Sequence, residues 1–213
     1  MKKTIIILFG APGSGKGYLG DCLQREITGR RITEKIKYIS TGDLLRAEVI
    51  AKTALGEQIS QIIASGELVS DEIVNDLVSK ALNAEEDIFF LDGYPRTDEQ
   101  LNMLFSQFEQ KQQYVVAIKR DTPIDLILER VSKRRICREC KVTHSVEDGC
   151  CPKCGGKSII RKDDAVIADH IAVYQNSTEK LWNVLYYEVD EMYVVEGDKD
   201  ASLAAKDIVD NLF

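Results

Sequence analysis

The stretch TIIILFGAPGSGK, from Thr4 to Lys16, decides the fold. Its apolar run Ile5–Phe9 is too short for the core of a signal peptide, and far short of the roughly 18 apolar residues of a membrane span. A short apolar run that ends at Gly and Pro is typical of a buried strand. Helical spacing follows the glycines, in an apolar series formed by Leu19, Cys22, Leu23 and Ile27. The stretch therefore predicts a buried strand, a glycine-rich turn and a helix.

The turn fits the phosphate-binding pattern G-x-x-x-x-G-K, with Gly10, Gly15 and Lys16 at its fixed positions. Glycines let backbone N–H groups point at an anion, the helix N-terminus adds its dipole, and the lysine adds a positive charge for the β- and γ-phosphates. The alternative is a glycine turn followed by a chance lysine, which the strand before it and the helix after it disfavour. Gly17 and Tyr18 follow the lysine where Ser or Thr is usual, so direct hydroxyl ligation of Mg²⁺ by this loop is not expected.

Composition restricts the class of protein. The 213 residues are 44% hydrophobic, which suits one sizeable core and argues against a disordered chain. The net charge of −7 argues against wholesale binding to nucleic acid or to a membrane surface. Residues 133–162 nevertheless contain nine Lys or Arg and three Asp or Glu, a net +6, which leaves −13 for the rest of the chain. A basic island of this kind would attract and clamp nucleotide phosphates.

Apolar runs and helical spacing alternate along the chain. The runs predict four strands beyond the first, at Tyr38-Ile39 (the weakest), Ile88–Leu91, Tyr114–Ile118 and Met192–Val195. The helical spacing predicts helices over Thr97–Gln110, Pro123–Arg134, Asp163–Tyr187 and Ala201–Leu212. Strands that alternate with helices favour an α/β fold, with a parallel sheet covered on both faces in three layers.

Two stretches interrupt the alternation. Thr41–Leu68 is helical and contains no strand signal, whereas Arg135–Arg161 is poor in core-forming residues and holds most of the cysteines. We interpret both as insertions at the carboxyl ends of the elements that precede them. Ligand sites of α/β proteins lie at that edge of the sheet.

Five of the six cysteines lie between Cys137 and Cys154, and four of them form two C-x-x-C pairs ten residues apart. Four thiolates at this spacing fit tetrahedral Zn²⁺, with the ligands Cys137, Cys140, Cys151 and Cys154. Four ligands leave no open position, so the zinc would be structural, holding together a segment too short to bury a core. The alternatives are two disulfides, reduced thiols without a metal, Cys150 as the ligand instead of Cys151, or His144 in place of a cysteine.

Five motifs follow one another along the chain: GAPGSGKG at Gly10–Gly17, STGDLLR at Ser40–Arg46, GELVSD at Gly66–Asp71, DGYPRT at Asp92–Thr97 and RKDD at Arg161–Asp164. In order and in spacing, over essentially the whole chain, they resemble those of adenylate kinases. The resemblance implies a nucleoside monophosphate kinase that catalyses MgATP + AMP ⇌ 2 ADP. It also implies a P-loop parallel-sheet core over residues 1–39, 70–134 and 162–213, a helical AMP-binding insertion over 40–69, and a zinc-ribbon lid over 135–161.

The resemblance assigns a role to each matching residue. Catalytic roles fall on Lys16, Arg96, Arg134 and Arg161. ATP-binding roles fall on Gly13, Ser14, Gly15, Lys16, Gly17, Arg130, Arg134 and Lys199. AMP-binding roles fall on Thr41, Arg46, Leu68, Val69, Gly93, Arg96 and Gln100, while Asp92 would orient Mg²⁺ through water, and Asp163 and Asp164 would form the acidic pair at the lid hinge.

These roles agree with the chemistry of the side chains. A guanidinium binds phosphate oxygens bidentately, which suits Arg96, and an amide matches the donor and acceptor edge of adenine, which suits Gln100. Mg²⁺ usually keeps several waters, so a carboxylate such as Asp92 can act through them. Arg130 and Arg134 are four residues apart on the predicted helix and would share a face.

Two positions depart from the family pattern. Tyr18 stands where the family usually has Thr, and alignment on the tyrosine that resembles Tyr174 puts His170 where the family has an arginine; Lys162 or Arg138 would then have to compensate. Two rival functions therefore stay open: a kinase for UMP, CMP or GMP, and a nucleotide-binding regulatory protein of low activity.

We expect a cytoplasmic monomer whose partners are ATP, AMP and ADP, and no nucleic acid or membrane partner. Cys22 is expected to be a small core residue.

Overall fold

The computed structural model describes residues 2–64, 69–109, 113–140, 142–145, 150–160, 164 and 166–213. Within these residues five parallel strands form the central sheet, in the order β2-β3-β1-β4-β8. A separate antiparallel sheet has the order β6-β5-β7. The strands are β1 Thr4–Phe9, β2 Ile36–Ser40, β3 Ile88–Asp92, β4 Tyr114–Asp121, β5 Arg134–Cys137, β6 Thr143–Ser145, β7 Ser158–Ile159 and β8 Glu191–Glu196. All five predicted strands are confirmed.

The helices follow the strands in alternation over most of the chain. They are α1 Lys16–Gly29, α2 Thr41–Ala51, α3 Ala54–Ala64, α4 Asp71–Leu82, α5 Asp98–Glu109, α6 Ile124–Lys133, α7 Ile167–Val173, α8 Leu181–Glu188 and α9 Ala201–Leu212. A π-helical turn, Tyr174–Thr178, follows α7 directly. The described part of the chain contains no helix long and apolar enough to span a membrane.

The sheet is buried on both faces, which is why its strands are continuous apolar runs. Alternate side chains of β1 point to opposite faces. On one face, Ile6 and Leu8 pack with residues of α1 and α9, including Leu23 and Ile208. On the other face, Ile5 and Ile7 of β1 pack with apolar side chains of α4, α5 and α8, among them Val78, Leu104 and Leu185. The predicted three-layer α/β fold is confirmed.

The strand register brings the polar residues together. Leu8 pairs with Asp92, and Asp92 pairs with Ser40 on its other side. The glycine-rich turn after β1, the start of α2 at Thr41 and the Asp92 carboxylate therefore all lie at the carboxyl edge of the sheet. Ligands of open parallel sheets bind at this edge.

Three predicted helix features differ from the structure. The helix predicted over Asp163–Tyr187 is not a regular α-helix throughout: a π-helical turn and Glu179-Lys180 stand between α7 and α8, although Glu179 and Lys180 keep helical backbone angles. The Glu179 N–H bonds back to the Tyr174 carbonyl, and the Thr178 hydroxyl leaves the helix to donate to the Arg96 carbonyl at 3.0 Å. Asp163 itself lies outside the described residues.

Helix α6 ends one residue earlier than predicted, at Lys133. Arg134 has extended backbone angles (φ −70°, ψ 136°) and opens β5, so it does not share a helix face with Arg130. Helix α4 is not among the predicted helices, although Val74, Leu77, Val78 and Ala81 have helical spacing and are buried.

Candidate functional site

The glycine-rich turn places open backbone N–H groups at the start of α1. Gly13 has φ +84°, and a Cβ there would meet the methyl groups of Ile127 and Val131 at 2.8 Å, so only glycine fits. Gly15, at φ +93°, immediately precedes α1. Among the described residues no side chain caps the N–H groups of the first turn of this helix. Uncapped N–H groups at a helix N-terminus, together with the helix dipole, bind phosphate.

Three polar side chains meet beside this turn. The Lys16 ammonium lies 3.7 Å from Oδ1 of Asp92, and the Tyr38 hydroxyl donates to Oδ2 of the same carboxylate at 2.9 Å. Burial raises the pKa of Tyr38 and the charge of Asp92 raises it further, so the hydroxyl stays protonated. Asp21, on α1, is close enough to Asp92 to be affected by its charge: burial raises the pKa of Asp21, Arg25 opposes the shift, and Asp92 adds to it.

Two arginines connect the phosphate turn to the loop after β8. Arg130 donates to the carbonyl of Ser14 at 3.1 Å and to that of Gly197 at 2.6 Å. Arg120 is 4% exposed and donates to the carbonyls of Gly197 and Lys199. Burial lowers the pKa of Arg120, with Arg130 contributing. The side chain of Lys199, predicted to bind ATP, is exposed and lies 3.6 Å from Glu196. Only its backbone therefore belongs to this network.

The predicted AMP residues lie across the edge of the sheet from the phosphate turn. The Thr41 hydroxyl is 5% exposed and donates to the Gly93 carbonyl at 3.1 Å. Nε of Arg96 donates to the same carbonyl at 2.8 Å, and Arg96 is exposed. Arg46, on α2, is half-exposed and lies 2.6 Å from Asp43. Thr41, Gly93 and Arg96 thus share one cluster, and Arg46 lies on the helix that begins at Thr41.

Gln100 is 4% exposed, and both ends of its amide are engaged. Its Nε2 donates to Oδ1 of Asp71 at 2.6 Å, and its Oε1 accepts from the backbone N–H of Arg96 at 2.8 Å. Contact with a base therefore requires the amide to exchange at least one of these bonds. Val69 is partly buried against the core, and Leu68 lies outside the described residues.

Arg134 is held by a carboxylate at the base of the small sheet. Its guanidinium pairs with Asp164 through two N–H groups, one of them Nε at 3.1 Å from Oδ2. Asp164 is almost fully buried and Arg134 is partly buried. Arg161, the remaining arginine predicted to act in catalysis, lies outside the described residues.

The four predicted zinc ligands converge at one point. The sulfur atoms of Cys137, Cys140, Cys151 and Cys154 all lie within 4.8 Å of one another. The separations Cys137–Cys154 and Cys140–Cys151, at 3.4 and 3.6 Å, are far longer than a disulfide bond and close to the roughly 3.8 Å edge of a tetrahedron with 2.3 Å Zn–S bonds. A donor set of four thiolates fits Zn²⁺.

The neighbouring candidates are outside this cluster. Cys150 is exposed and forms an isolated antiparallel backbone bridge with Lys157, and His144 Nε2 lies 2.8 Å from the Ser158 hydroxyl. The backbone N–H of Cys140 approaches the Cys137 sulfur and lowers the pKa of that thiol to about 7. This favours the thiolate that a metal requires.

Comparison with known proteins places the chain in a family. Residues 8–192 match the sequence profile of the family described as Adenylate kinase. The chain belongs to the adenylate kinase family. The adenylate kinase of Lachnoclostridium phytofermentans is 36% identical over 218 residues, covering 96% of this chain and 95% of the relative. Those of Petrotoga mobilis and Pyrococcus abyssi are each 35% identical, covering 95% and 89% of this chain and 94% and 86% of the relative.

Membership of the adenylate kinase family makes the protein a nucleoside monophosphate kinase, a phosphotransferase acting on ATP and AMP. The two departures from the family pattern lie on exposed surface. Tyr18 is 60% exposed on α1 with the Arg25 guanidinium 5.9 Å from its ring centre, so the ring does not fill the phosphate turn. His170 is exposed on α7.

Three residues of this candidate site were not predicted from the sequence: Tyr38, Asp71 and Arg120. Arg120 gives a local signal, because it belongs to the basic pair Lys119-Arg120 that follows directly on the apolar run of β4. The contacts of Tyr38 with Asp92 and of Asp71 with Gln100 join residues 54 and 29 positions apart, so no local pattern reveals them.

Proposed function

We propose that this chain transfers the γ-phosphoryl group of MgATP directly to AMP, with MgATP on the phosphate turn and AMP at the Thr41–Arg96 side of the cleft. The observation that carries the proposal is the convergence of Lys16, Asp92, Thr41 and Arg96 at one edge of the sheet. The 3.7 Å Lys16–Asp92 pair and the two donors on the Gly93 carbonyl fix that convergence.

The transfer needs positioning and charge neutralisation from the protein, and no base. A phosphate oxygen of AMP is already ionised near neutral pH, so it attacks the γ-phosphorus without losing a proton. A new bond forms between the AMP oxygen and the γ-phosphorus. At the same time the bond from the γ-phosphorus to the β–γ bridging oxygen breaks, and the electron pair of that broken bond leaves with ADP. Lys16, Arg96 and Arg134 would stabilise the charge on the transferring oxygens, and the resemblance adds Arg161.

Magnesium enters with the nucleotide as part of the substrate. Asp92 is partly buried at the end of β3, one oxygen facing Lys16 and the other bonded to Tyr38. A carboxylate fixed in this way suits contact with the water shell that Mg²⁺ retains. Gly17, which follows Lys16 where Ser or Thr is usual, offers no hydroxyl, and this also favours contact through water.

AMP recognition would use arginines for the phosphate and an amide for the base. Arg96 and Arg46 supply guanidinium groups for the phosphate, and Gln100 reads the adenine edge after exchanging its contact with Asp71. Val69, Leu68 and Gly93 would complete the acceptor site. Residues 40–69 form the AMP-binding insertion in this proposal, and residues 1–39, 70–134 and 162–213 form the core.

Residues 135–161 would form a lid over the ATP phosphates, held together by zinc on Cys137, Cys140, Cys151 and Cys154. A bound zinc supplies structural cross-linking among these thiolates. The net positive charge of this region favours closure onto bound nucleotide, which excludes water that would otherwise hydrolyse ATP. We further propose that the protein acts as a monomer in the reducing cytoplasm, where clustered thiols bind metal.

Substitution of Arg96 tests the proposal. Because Arg96→Ala removes a cation from the transferring group, we expect kcat to fall about 10³-fold or more. Circular dichroism and the melting temperature should stay close to those of the wild type, since the guanidinium end makes no core contact. Arg31→Ala, at the far end of α1, is the control. Wild-type kcat in Arg96→Ala would contradict the assignment.

A further inference from the structure

Tyr38 and Asp92 are brought together by the register of two neighbouring parallel strands. Tyr38 of β2 pairs with Phe90 of β3, and Asp92 follows Phe90 by two residues, so all three side chains lie on the same face of the sheet. The Tyr38 ring stacks on Phe90, with ring centres 5.8 Å apart and planes at 17°. The ring leans along the strand, and its hydroxyl reaches Oδ2 of Asp92 at 2.9 Å.

Helix α1 makes room for this ring. A Cβ at Gly20 would lie 2.8 Å from the Tyr38 ring carbon Cε2 and 3.1 Å from its hydroxyl. It would also lie 2.7 Å from a Leu8 methyl group. Because the ring is held between Phe90 and α1, glycine at position 20 permits the orientation in which the hydroxyl meets the carboxylate.

The hydrogen bond between Tyr38 and Asp92 is donated by the tyrosine hydroxyl. The Tyr38 hydroxyl is partly buried beside a carboxylate, so it keeps its proton and donates. Asp92 therefore has one oxygen fixed by Tyr38 and the other facing Lys16, at 3.7 Å. A carboxylate held at both oxygens has a defined plane, and its remaining lone pairs point in fixed directions.

We propose that Tyr38 is a positioning residue for phosphoryl transfer, whose hydroxyl fixes the Asp92 carboxylate for contact with the hydrated Mg²⁺ of MgATP, and that Gly20 provides the space this requires. The proposal rests on the role proposed above for Asp92. Tyr38 acts through Asp92 and does not touch the nucleotide.

Calorimetry on the full-length, zinc-loaded protein tests it. The dissociation constant of ATP is measured with and without Mg²⁺, and the value without Mg²⁺ divided by the value with Mg²⁺ is the ratio that reports the contribution of the metal. Tyr38→Phe keeps the stacked ring and removes only the hydroxyl. Because a hydrogen bond to a charged group is lost, we expect this ratio and kcat each to fall about tenfold, with metal-free ATP binding unchanged.

Two further variants sharpen the test. Tyr114→Phe removes another hydroxyl that is bonded to a carboxylate, that of Glu191, at the opposite end of the sheet, and should leave the ratio and kcat at wild-type values. Gly20→Ala keeps the Tyr38 hydroxyl but displaces the ring, and should lower the ratio in the same direction as Tyr38→Phe.

The outcomes separate this inference from the proposed function. If Asp92→Asn abolishes the effect of Mg²⁺ and Tyr38→Phe leaves it intact, the role of Tyr38 is overturned and that of Asp92 stands. If Tyr38→Phe weakens ATP binding equally with and without Mg²⁺, Tyr38 has only a structural role and the inference is wrong. If Asp92→Asn itself keeps the wild-type ratio, the proposed role of Asp92 fails.

Discussion

Arg134 and Asp164 form a two-point ion pair at the base of the small sheet, 30 positions apart in sequence. The pair sets the plane of a guanidinium proposed to meet the ATP phosphates. Asp164 is almost fully buried, so the carboxylate is a fixed partner rather than a mobile surface charge. The pair connects the region proposed as the lid with the segment that leads into α7.

A double-mutant cycle measures this relationship. Arg134→Met should lower kcat at least about 100-fold, and Asp164→Asn should raise KM for ATP several-fold while the guanidinium remains. If Asp164 acts through Arg134, the double variant should be no worse than Arg134→Met alone, so the coupling free energy should equal the loss in Asp164→Asn, about 1 kcal/mol in kcat/KM. Additive losses would contradict the link.

The cysteine cluster predicts that Cys151 binds zinc and that the adjacent Cys150 does not. Cys151 belongs to the four-sulfur group and Cys150 does not. Cys151→Ser should lower zinc affinity by more than about 100-fold and lower the melting temperature, because loss of a ligand exceeds the effect of losing a supporting contact. Cys150→Ser is the matched control. Elemental analysis should find one zinc per chain in the wild type and the control, and loss of zinc in Cys150→Ser would contradict the assignment.

The raised pKa of Asp21 predicts that the free energy of unfolding depends on pH. Burial raises its pKa in the folded protein above the ordinary 3.8, so the folded state binds this proton more tightly than the unfolded state does. Stability contributed by this group therefore falls as the pH rises above 3.8, and the loss persists at neutral pH. Asp21→Asn should raise the free energy of unfolding at pH 7, and the gain should shrink as the pH is lowered toward 3.8.

Urea unfolding at several pH values checks this expectation. Asp207→Asn, an equal change of charge on the exposed surface of α9, is the control. A gain in Asp21→Asn that is constant with pH would show that the effect comes from packing rather than from the carboxylate charge.

The sequence predicts the parts of this fold that depend on local patterns. The β1 run and the turn after it are recognisable because a strand buried on both faces must be apolar throughout, and because a phosphate turn needs glycine at Gly13 and Gly15. The cysteines are recognisable because tetrahedral zinc imposes a spacing on its ligands.

Other parts depend on contacts between distant segments. The π-helical turn after α7 contains Thr178, whose hydroxyl bonds to the Arg96 carbonyl 82 positions away, and a helical periodicity cannot reveal that contact. The separation of Arg134 from α6 depends on its pairing with Asp164 and on its place in β5. The motif predicts that Gln100 contacts adenine. In the structure the Gln100 amide is bonded to Asp71, and a ligand must replace that contact.

The central claim is direct transfer from MgATP to AMP, and ADP formation with AMP, UMP, CMP and GMP as separate acceptors tests it most directly. We predict robust turnover with AMP and little with the other three, because Thr41 and Gln100 favour adenine and the exposed ring of Tyr18 leaves the phosphate turn unobstructed. Turnover as fast with another acceptor, or none with any acceptor in folded, zinc-loaded protein, would contradict the account.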